Sequence, residues 1–249
     1  MKVIWVSANK LGYELLQTAM EVGDFELKAI ITLGKNSKTV MYDAIDTDLW
    51  HSFNVPVHEV DKLNEEESII KNLNPDLAVV CGWRQIVNLS ILKIPKYGTI
   101  GFHPTPLPKG RGPAPIINTI LEGWKSSALT LFYLAEGLDN GDIIGQKNFP
   151  IEDSDHASDV YNKIIISGKS LIKEYLPLII KQTAPRIKQI ETEATLFNKL
   201  TLKDNEININ EDSLDTIDRK IRALSKPYKG AHIQKDGKKL IIWKSELVK

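Results

Sequence analysis

Short apolar runs alternate with amphipathic segments along the first 180 residues of the chain. The apolar runs predict buried strands, and apolar residues recurring every three to four positions predict helices packed on a sheet. The alternation predicts an α/β fold, namely a mostly parallel twisted sheet with helices on both faces. The predicted strands are 2–7, 26–32, 56–60, 76–82, 99–103, 128–134 and 142–151, and the predicted helices are 10–22, 43–53, 64–73, 113–123 and 155–181.

The pattern changes near residue 182. The stretch 182–195 is polar and predicts a linker, a helix is predicted over 212–224, and a hairpin is predicted across Asp236-Gly237. A tail of this length can hardly bury a core of its own, so we expect it to dock on the first domain or on a second subunit. We therefore predict a core at 1–181, a linker at 182–195 and a small subdomain at 196–249, with a homodimer as one way of covering that subdomain.

Composition excludes several classes of protein. Hydrophobic residues make up 42% and charged residues 26%, and Lys plus Arg and Asp plus Glu both total 32, which gives a net charge of +0. A neutral chain has no overall field that would attract nucleic acid or an anionic membrane, so neither is predicted as a partner. Because no leader-like segment opens the sequence and no apolar run approaches ~20 residues, we expect a cytoplasmic protein.

Several common motifs are missing. The opening strand, turn and helix read VSANKLGYELL and lack the G-x-G-x-x-G of dinucleotide-binding proteins. The sequence also has no Walker loop, HExxH, GxSxG or metal-spaced Cys/His set, and Cys81 is its only cysteine. An NAD dehydrogenase is therefore not predicted, and no metal site is expected.

The most informative segment is 98–115, GTIGFHPTPLPKGRGPAP. A predicted buried strand ends at His103, and ligand sites of open parallel sheets gather at the carboxyl ends of strands. The prolines stiffen the loop that follows, while Gly110 and Gly112 permit close approach of a ligand to the backbone. Arg111 adds a cation beside amides that can receive an anion. The alternative interpretation is a strand-to-helix connector with a structural histidine.

A second irregular segment, LAEGLDNGDIIGQ at 134–146, follows a strand that ends at the same sheet edge. Asp139 lies there in a glycine-flanked turn, where an aspartate is ordinarily only a turn former. Beside His103 it would instead form a carboxylate–imidazole pair, in which the carboxylate holds the ring tautomer and stabilises the imidazolium during proton transfer.

These two segments carry a resemblance to the folate-dependent formyltransferase family, and within it most of all to the nucleotide-sugar N-formyltransferases. FHPTPLPKGRGPAP resembles the Asn-x-His…LLPxxRG signature of that family, and GLDNGDII resembles its Asp-x-Gly-x-Ile loop. The resemblance extends to MKVIWVSANKLGYELL, PDLAVVCGW, KLTLKDNEIN and IRALSKPYKGA, and so spans nearly the whole chain. It implies a Rossmann-like formyltransferase core and transfer of a formyl group from N10-formyltetrahydrofolate to an amine.

The resemblance also implies roles for individual residues. His103 and Asp139 would be catalytic, His103 stabilising the oxyanion and relaying a proton. The folate would contact six residues, Val80, Cys81, Gly82, Trp83, Glu136 and Leu138. Four residues are candidates for contacts with the acceptor, namely Lys109, Arg111, Tyr42 and Asp43.

One position departs from the family. The catalytic asparagine would stand two residues before His103, where this chain has Gly101. Loss of one oxyanion donor costs ~10²–10³ in rate, so we expect a substitute, such as His103 itself, a backbone amide, a water, Asn140 or Gln85.

The tail is shorter than the β-barrel that resemblance to the tRNA enzyme would imply. A short tail is similar to that of the nucleotide-sugar enzymes and favours a dTDP- or UDP-4-amino sugar as the acceptor. Such an acceptor implies a place in lipopolysaccharide or O-antigen biosynthesis. Two alternatives stay open. The chain could be another folate enzyme, formylating a different amine or hydrolysing formyl-folate, or it could be a non-catalytic relative that binds folate or a nucleotide sugar.

Overall fold

The computed structural model describes residues 1–248, apart from the side chain of residue 202, and a seven-stranded sheet forms its centre. The strand order is β3-β2-β1-β4-β5-β6-β7, with the first five strands parallel and β6 and β7 antiparallel. The predicted fold class, a mostly parallel sheet with helices, is therefore confirmed. The strands are β1 (Lys2–Val6), β2 (Glu26–Leu33), β3 (Val57–Val60), β4 (Leu77–Val80), β5 (Thr99–His103), β6 (Ser126–Tyr133) and β7 (Ile143–Pro150).

Six α-helices and four 3₁₀ turns complete the part of the chain that the structure describes. The α-helices are α1 (Lys10–Val22), α2 (Glu67–Leu73), α3 (Leu89–Leu92), α4 (Pro115–Leu121), α5 (Ala157–Ile180) and α6 (Leu214–Leu224). The 3₁₀ turns are Thr47–Phe53, Leu63–Glu65, Glu191–Glu193 and Leu202–Asn205.

The helix predicted at 43–53 is present only in part. It is a 3₁₀ helix that begins only at Thr47, because the residues before it are tied to the end of β1. Ala44 forms a bridge with Asn9, and the carbonyl of Asp43 accepts from the amide of Lys10 at 3.0 Å. The short helix α3 was not predicted, since four residues carry too little periodicity to reveal a helix.

Alternate residues of the central strands bury opposite faces of the sheet, as the two-residue period of a strand requires. Trp5 on β1 packs into the larger core with Leu15 of α1, and both side chains are fully buried. Ile4 on the same strand points to the smaller core on the other face. Burial of one such side chain contributes about 1.5–3 kcal/mol, so the two cores fix the positions of the strand ends.

The tail packs on the first part of the chain through α6, which lies against α4. Ile221 and Leu224 of α6 belong to the larger core, and Arg222 donates from Nη1 to the carbonyl of Asp155 at 3.1 Å. The tail then ends in a hairpin of β8 (Ala231–Lys235) and β9 (Lys238–Ile242). Both residues of its Asp-Gly turn have positive φ, as a type I′ turn requires.

Candidate active site

His103 is the last residue of β5, where the parallel strand meets the proline-rich loop, and its ring is almost completely buried. The loop folds back so that the carbonyl of Gly110 lies 2.8 Å from His103 Nε2. The hydroxyl of Thr105 donates to the same carbonyl at 3.2 Å. Gly110 has φ of +71°, and a Cβ there would approach Thr105 and Phe197 to about 2.9 Å. A glycine is therefore needed for the loop to fold back onto His103.

Asp139 approaches His103 from the loop between β6 and β7. Its Oδ2 lies 3.5 Å from His103 Nδ1 and accepts from the amide of Gly112 at 2.9 Å. Asp139 itself has φ of 50°, a left-handed conformation that Asp and Asn tolerate better than most residues. The structure thus brings together the two residues proposed as catalytic, and a backbone amide of the proline-rich loop holds the carboxylate in place.

The two contacts of the imidazole constrain the protons that it carries. Nε2 faces a carbonyl and Nδ1 faces a carboxylate, and both of these groups only accept hydrogen bonds. A neutral ring can donate to only one of them, whereas the imidazolium of His103 donates to both. An N–H at either nitrogen therefore faces an acceptor within the protein, and the two contacts hold the ring in one orientation.

Gly101 lies two residues before His103 on β5, and its neighbours leave no room for a side chain. A Cβ at this position would come within 2.8 Å of Leu134 Cδ2 and 3.3 Å of the Val80 carbonyl. The space that an asparagine side chain would need is filled by Leu134. Of the two side-chain substitutes considered, Gln85 is engaged elsewhere, because its amide contacts Leu63, Thr39 and Asp61.

The residues predicted to line the folate site divide into two sets. Val80, Cys81, Gly82 and Trp83 follow one another at the carboxyl end of β4, beside His103 on β5. Glu136 and Leu138 are exposed on the loop that carries Asp139. Cys81 is fully buried, so only its backbone could meet a ligand, and burial followed by the charge of Asp43 raises the pKa of its thiol.

Trp83, the last residue of this segment, has a hydrogen-bond donor that is not used within residues 1–248. Its indole Nε1 is buried and has no hydrogen-bond partner among the residues that the structure describes. A buried donor without a partner costs about 1–3 kcal/mol, so it normally has one. An acceptor atom on a bound molecule would satisfy it.

Tyr42 and Asp43 lie near the point where the strand order reverses, between β1 and β4. The Asp43 carboxylate accepts from Asn9 Nδ2 at 2.8 Å and from the hydroxyl of Tyr161 at 2.6 Å. Arg84 completes the cluster, with Nη2 3.3 Å from Asp43 Oδ1 and its guanidinium over the Tyr42 ring. Burial, then the charge of Asp43, raises the pKa of Tyr161.

Sequence reasoning missed Asn9, Arg84 and Tyr161. Asn9 lies just after β1 and caps α1 by accepting from the amide of Gly12, so a strand followed by an N-cap residue was a usable signal for it. Arg84 directly follows the predicted folate segment and could have been included on that ground. Nothing in the local pattern distinguishes Tyr161 from the other residues of a long helix.

Arg111 does not point to an open anion site. Its Nε and Nη2 donate to Gln189 Oε1 at 3.0 and 2.8 Å, and Nη1 and Nη2 donate to Glu191 at 2.9 and 2.7 Å. These contacts use four of the five guanidinium protons, so the geometry favours a structural role over the predicted contact with the acceptor. Lys109 is exposed on the same loop and keeps its side chain on the surface.

A cavity of about 1100 Å³ lies elsewhere, between α4, α6 and the residues after β9. Its lining mixes cationic and anionic side chains, and it includes none of the residues predicted for the active site. The candidate site is therefore at the sheet edge and not in this cavity.

Comparison with known proteins identifies the class. The sequence model of the Formyl transferase family matches residues 52–176, and that of the Formyl transferase, C-terminal domain matches residues 199–249. The methionyl-tRNA formyltransferase of Staphylococcus aureus (strain MW2) is 34% identical over 254 residues, which cover 99% of this chain and 80% of the relative. The chain belongs to the folate-dependent formyltransferase family, and it is a formyltransferase.

Solved structures with the same fold include enzymes with other acceptors. A 4-N formyltransferase from Francisella tularensis has a TM-score of 0.79 at 19% identity, covering 100% of this chain and 98% of that one. A sugar N-formyltransferase from Shewanella sp. has a TM-score of 0.76 at 23% identity, covering 100% and 99%. Methionyl-tRNA formyltransferase from Clostridium thermocellum has a TM-score of 0.70 at 19% identity, covering 100% and 94%.

Two further findings concern the described residues only. Residues 1–248 contain no group of three or more His, Cys, Asp or Glu side chains arranged to hold a metal ion. No helix in this range is long and apolar enough to span a bilayer.

Proposed function

We propose that this formyltransferase moves a formyl group from N10-formyltetrahydrofolate to the amine of a nucleotide-linked amino sugar. The observation that carries the proposal is the contact of His103 with Asp139 at the carboxyl end of β5. A buried imidazole held in one orientation by a carboxylate is a preorganised group of the kind that stabilises an oxyanion as it forms.

The residues at the end of β4 fit a folate. Trp83 offers a buried, unpartnered N–H to an acceptor on a flat heterocycle, and Val80 and Leu134 pack with it as an apolar wall. Gly82, with φ of +61°, lets the backbone turn beside that wall. When bound there, N10-formyltetrahydrofolate supplies the formyl group that is transferred.

The chain's own residues then act on the reacting atoms. As the acceptor nitrogen bonds to the formyl carbon, negative charge develops on the formyl oxygen, and the His103 imidazolium stabilises it. The bond from the formyl carbon to the donor nitrogen breaks, and His103 relays the proton lost by the amine to that nitrogen. Asp139 keeps the ring oriented during the proton transfer, and Gly112 keeps Asp139 in place through its amide.

His103 is also our candidate for the group that replaces the asparagine side chain missing at Gly101. Since Leu134 fills the place of the missing side chain, and Gln85 is engaged elsewhere, we assign oxyanion stabilisation to His103 itself. Asn140 is exposed beside Asp139 and is the remaining side-chain amide of those considered.

Net charge agrees with a small-molecule acceptor. The chain has 32 basic and 32 acidic residues, so it has no net positive charge that would attract a polyanion such as tRNA. The sugar N-formyltransferase from Shewanella sp. and the 4-N formyltransferase from Francisella tularensis also match this chain over nearly their whole length, with higher TM-scores than the tRNA enzyme. The structure of an N-formyltransferase from Helicobacter canadensis contains folinic acid and dTDP-3-aminofucose, a pair of the kind that we propose.

Methionyl-tRNA is the second candidate acceptor, and sequence identity favours it. The relatives at 31–34% identity that cover 99–100% of this chain are methionyl-tRNA formyltransferases. The two candidates differ in size and charge, so one assay separates them.

The assay offers purified protein N10-formyltetrahydrofolate together with one acceptor at a time, and each product is weighed. The panel holds dTDP- and UDP-linked 4-amino and 3-amino sugars, methionyl-tRNA and a blank without acceptor. We expect an amino-sugar nucleotide to gain the mass of one formyl group in place of one proton, and the variants His103→Ala and Asp139→Asn to lose that product.

Formylation of methionyl-tRNA alone would replace the proposed acceptor with the second candidate. Formate release in the blank, with no formylated acceptor, would indicate a formyl-folate hydrolase. Full turnover by both variants would show that the chemistry lies elsewhere in the chain.

A further inference from the structure

Residues 186–197, here called the strap, run along both loops of the candidate site. At one end, Ile187 exchanges two backbone hydrogen bonds with Ile143, at 2.8 and 2.9 Å, just after the Asp139 loop. At the other end, the amide of Arg111 donates to Thr195 and the amide of Phe197 donates to Arg111, at 2.9 and 2.8 Å. The stretch that sequence predicted as a linker therefore joins the two catalytic loops.

Gln189 lies between these two attachments and links the loops through its side chain. Its Oε1 accepts from the Arg111 guanidinium at 3.0 and 2.8 Å. Its Nε2 donates to the carbonyls of Asp139 at 2.7 Å and Gly141 at 2.8 Å. The amide thus uses both of its protons and both of its lone pairs.

The surroundings fix the orientation of this amide. The reverse orientation would set Oε1 against the carbonyls of Asp139 and Gly141 and would point Nε2 at the guanidinium of Arg111, replacing four attractive contacts with repulsive ones. Glu191 holds Arg111 in turn by accepting two hydrogen bonds from its guanidinium. The hydrogen bonding of Arg111, and to a smaller extent its positive charge, lowers the pKa of the Glu191 carboxyl. The guanidinium is therefore a rigid support for Gln189.

The turn that Gln189 holds is the one that needs support. Asp139 has a left-handed backbone and is flanked by glycines, so the loop around it has little stiffness of its own. Its carboxylate must stay within 3.5 Å of His103 to stabilise the imidazolium. Two hydrogen bonds to the carbonyls of Asp139 and Gly141 fix the turn from outside.

We infer that Gln189 is a positioning residue for formyl transfer, which sets the Asp139 carboxylate against His103 and uses Arg111 as its anchor. This inference rests on the proposed roles of His103 and Asp139. Gln189 itself touches neither the ring nor the carboxylate, so its effect on the reaction must pass through the Asp139 turn.

The test is a double-mutant cycle with Gln189→Glu and Asp139→Asn. Gln189→Glu keeps an acceptor for Arg111 but loses both donated hydrogen bonds to the turn. We expect kcat to fall about 10- to 100-fold, because a displacement of a catalytic group by 1 Å can cost about 10² in rate. The KM for N10-formyltetrahydrofolate should change by no more than about twofold. In the Asp139→Asn background, the same substitution should cost no more than about twofold further, since residues that act as a unit are not additive.

Lys188→Gln is the matched control. It removes the ion pair between the exposed Lys188 of the same strap and Asp142 of the same loop, at 3.0 Å, without touching the Asp139 turn. Such a pair is worth at most about 1 kcal/mol, and we expect kcat within about twofold of wild type.

A readout without turnover accompanies the cycle. The amide of Gly112 donates to the Asp139 carboxylate, so its hydrogen exchange should become faster in Gln189→Glu and stay unchanged in Lys188→Gln. An unchanged kcat in Gln189→Glu, or a loss that multiplies with that of Asp139→Asn, would overturn the inference.

The outcomes also separate the two proposals. If Asp139→Asn is impaired while Gln189→Glu is not, only the role of Gln189 fails. If Asp139→Asn has full kcat, the assignment of Asp139 under the proposed function fails, and the role of Gln189 fails with it.

Discussion

Substitution of Asp139 by Asn tests the charge at the centre of the site with little other change. Asn has nearly the same shape, tolerates the left-handed backbone at this position, and keeps an oxygen for the amide of Gly112. Only the negative charge opposite His103 is lost. Variants to Ala would add backbone strain and an unpaired amide, so Asn is the cleaner choice.

The size of the effect follows from the geometry. At 3.5 Å and an effective dielectric constant of about 20, the attraction between the imidazolium of His103 and the carboxylate of Asp139 is about 5 kcal/mol, which is an upper limit. The Asp139 side chain is 21% exposed, and solvent screening reduces this figure by about half. A loss of about 2–3 kcal/mol in the transition state corresponds to a fall in kcat of about 100-fold.

The assay is steady-state formation of formylated acceptor, measured by mass for the wild type and two variants. Asp142→Asn serves as the control, because Asp142 is on the same loop and pairs with the exposed Lys188 instead of His103. We expect kcat about 100-fold lower in Asp139→Asn and within about twofold of wild type in Asp142→Asn. Equal losses in both variants would refute the electrostatic reasoning, as would an undiminished kcat in Asp139→Asn.

Three further predictions concern the surroundings of the site. Gly101→Ala should lower the free energy of unfolding by about 1–3 kcal/mol in urea denaturation, because its Cβ would meet Leu134 at 2.8 Å, and the loss should shrink in a Leu134→Ala background. Trp83→Phe should leave the unfolding free energy unchanged or raised, since it removes a buried donor without a partner, yet weaken the binding of formyl-folate measured by calorimetry; unaltered affinity would count against a folate contact at the indole. Burial raises the pKa of the Cys81 thiol above its ordinary 9.0, so the folded protein keeps this proton while the unfolded chain loses it near pH 9. The unfolding free energy should therefore fall as pH rises through that value, less steeply in Cys81→Ala, and a thiol reagent should label Cys81 only in denaturant.

The elements that sequence predicted well are those with strong periodicity. The buried strands 76–82 and 99–103 are mostly apolar, and the structure has β4 and β5 there. His103 and Asp139 were expected together because both follow strands that were taken to end at the same sheet edge, but β6 runs antiparallel to β5 and ends opposite the start of that strand. It is the loop between β6 and β7 that carries Asp139 to His103. The turn at Asp236-Gly237 was readable for a similar reason, since a type I′ turn favours this dipeptide.

The missed features depend on contacts between distant residues. Arg111 in a glycine- and proline-rich loop was interpreted as an anion site, and only the structure shows that Gln189 and Glu191, some 80 positions away, occupy its donors. The polarity of 182–195 was typical of a linker, but polar side chains also serve where a segment bridges two loops by hydrogen bonds. No local pattern distinguishes these two cases, because the partners lie far apart in the sequence.

The central claim is that the imidazole of His103 stabilises the charge that develops during formyl transfer. The most direct test compares single-turnover rates of the wild type and His103→Gln at saturating N10-formyltetrahydrofolate, with formyl-folate affinity measured in parallel. We predict a rate at least about 10³-fold lower in the variant with affinity nearly unchanged, since the loss of an oxyanion-stabilising group typically costs about 10²–10³ and proton relay is lost as well. A variant that transfers the formyl group within about tenfold of the wild-type rate would contradict the account.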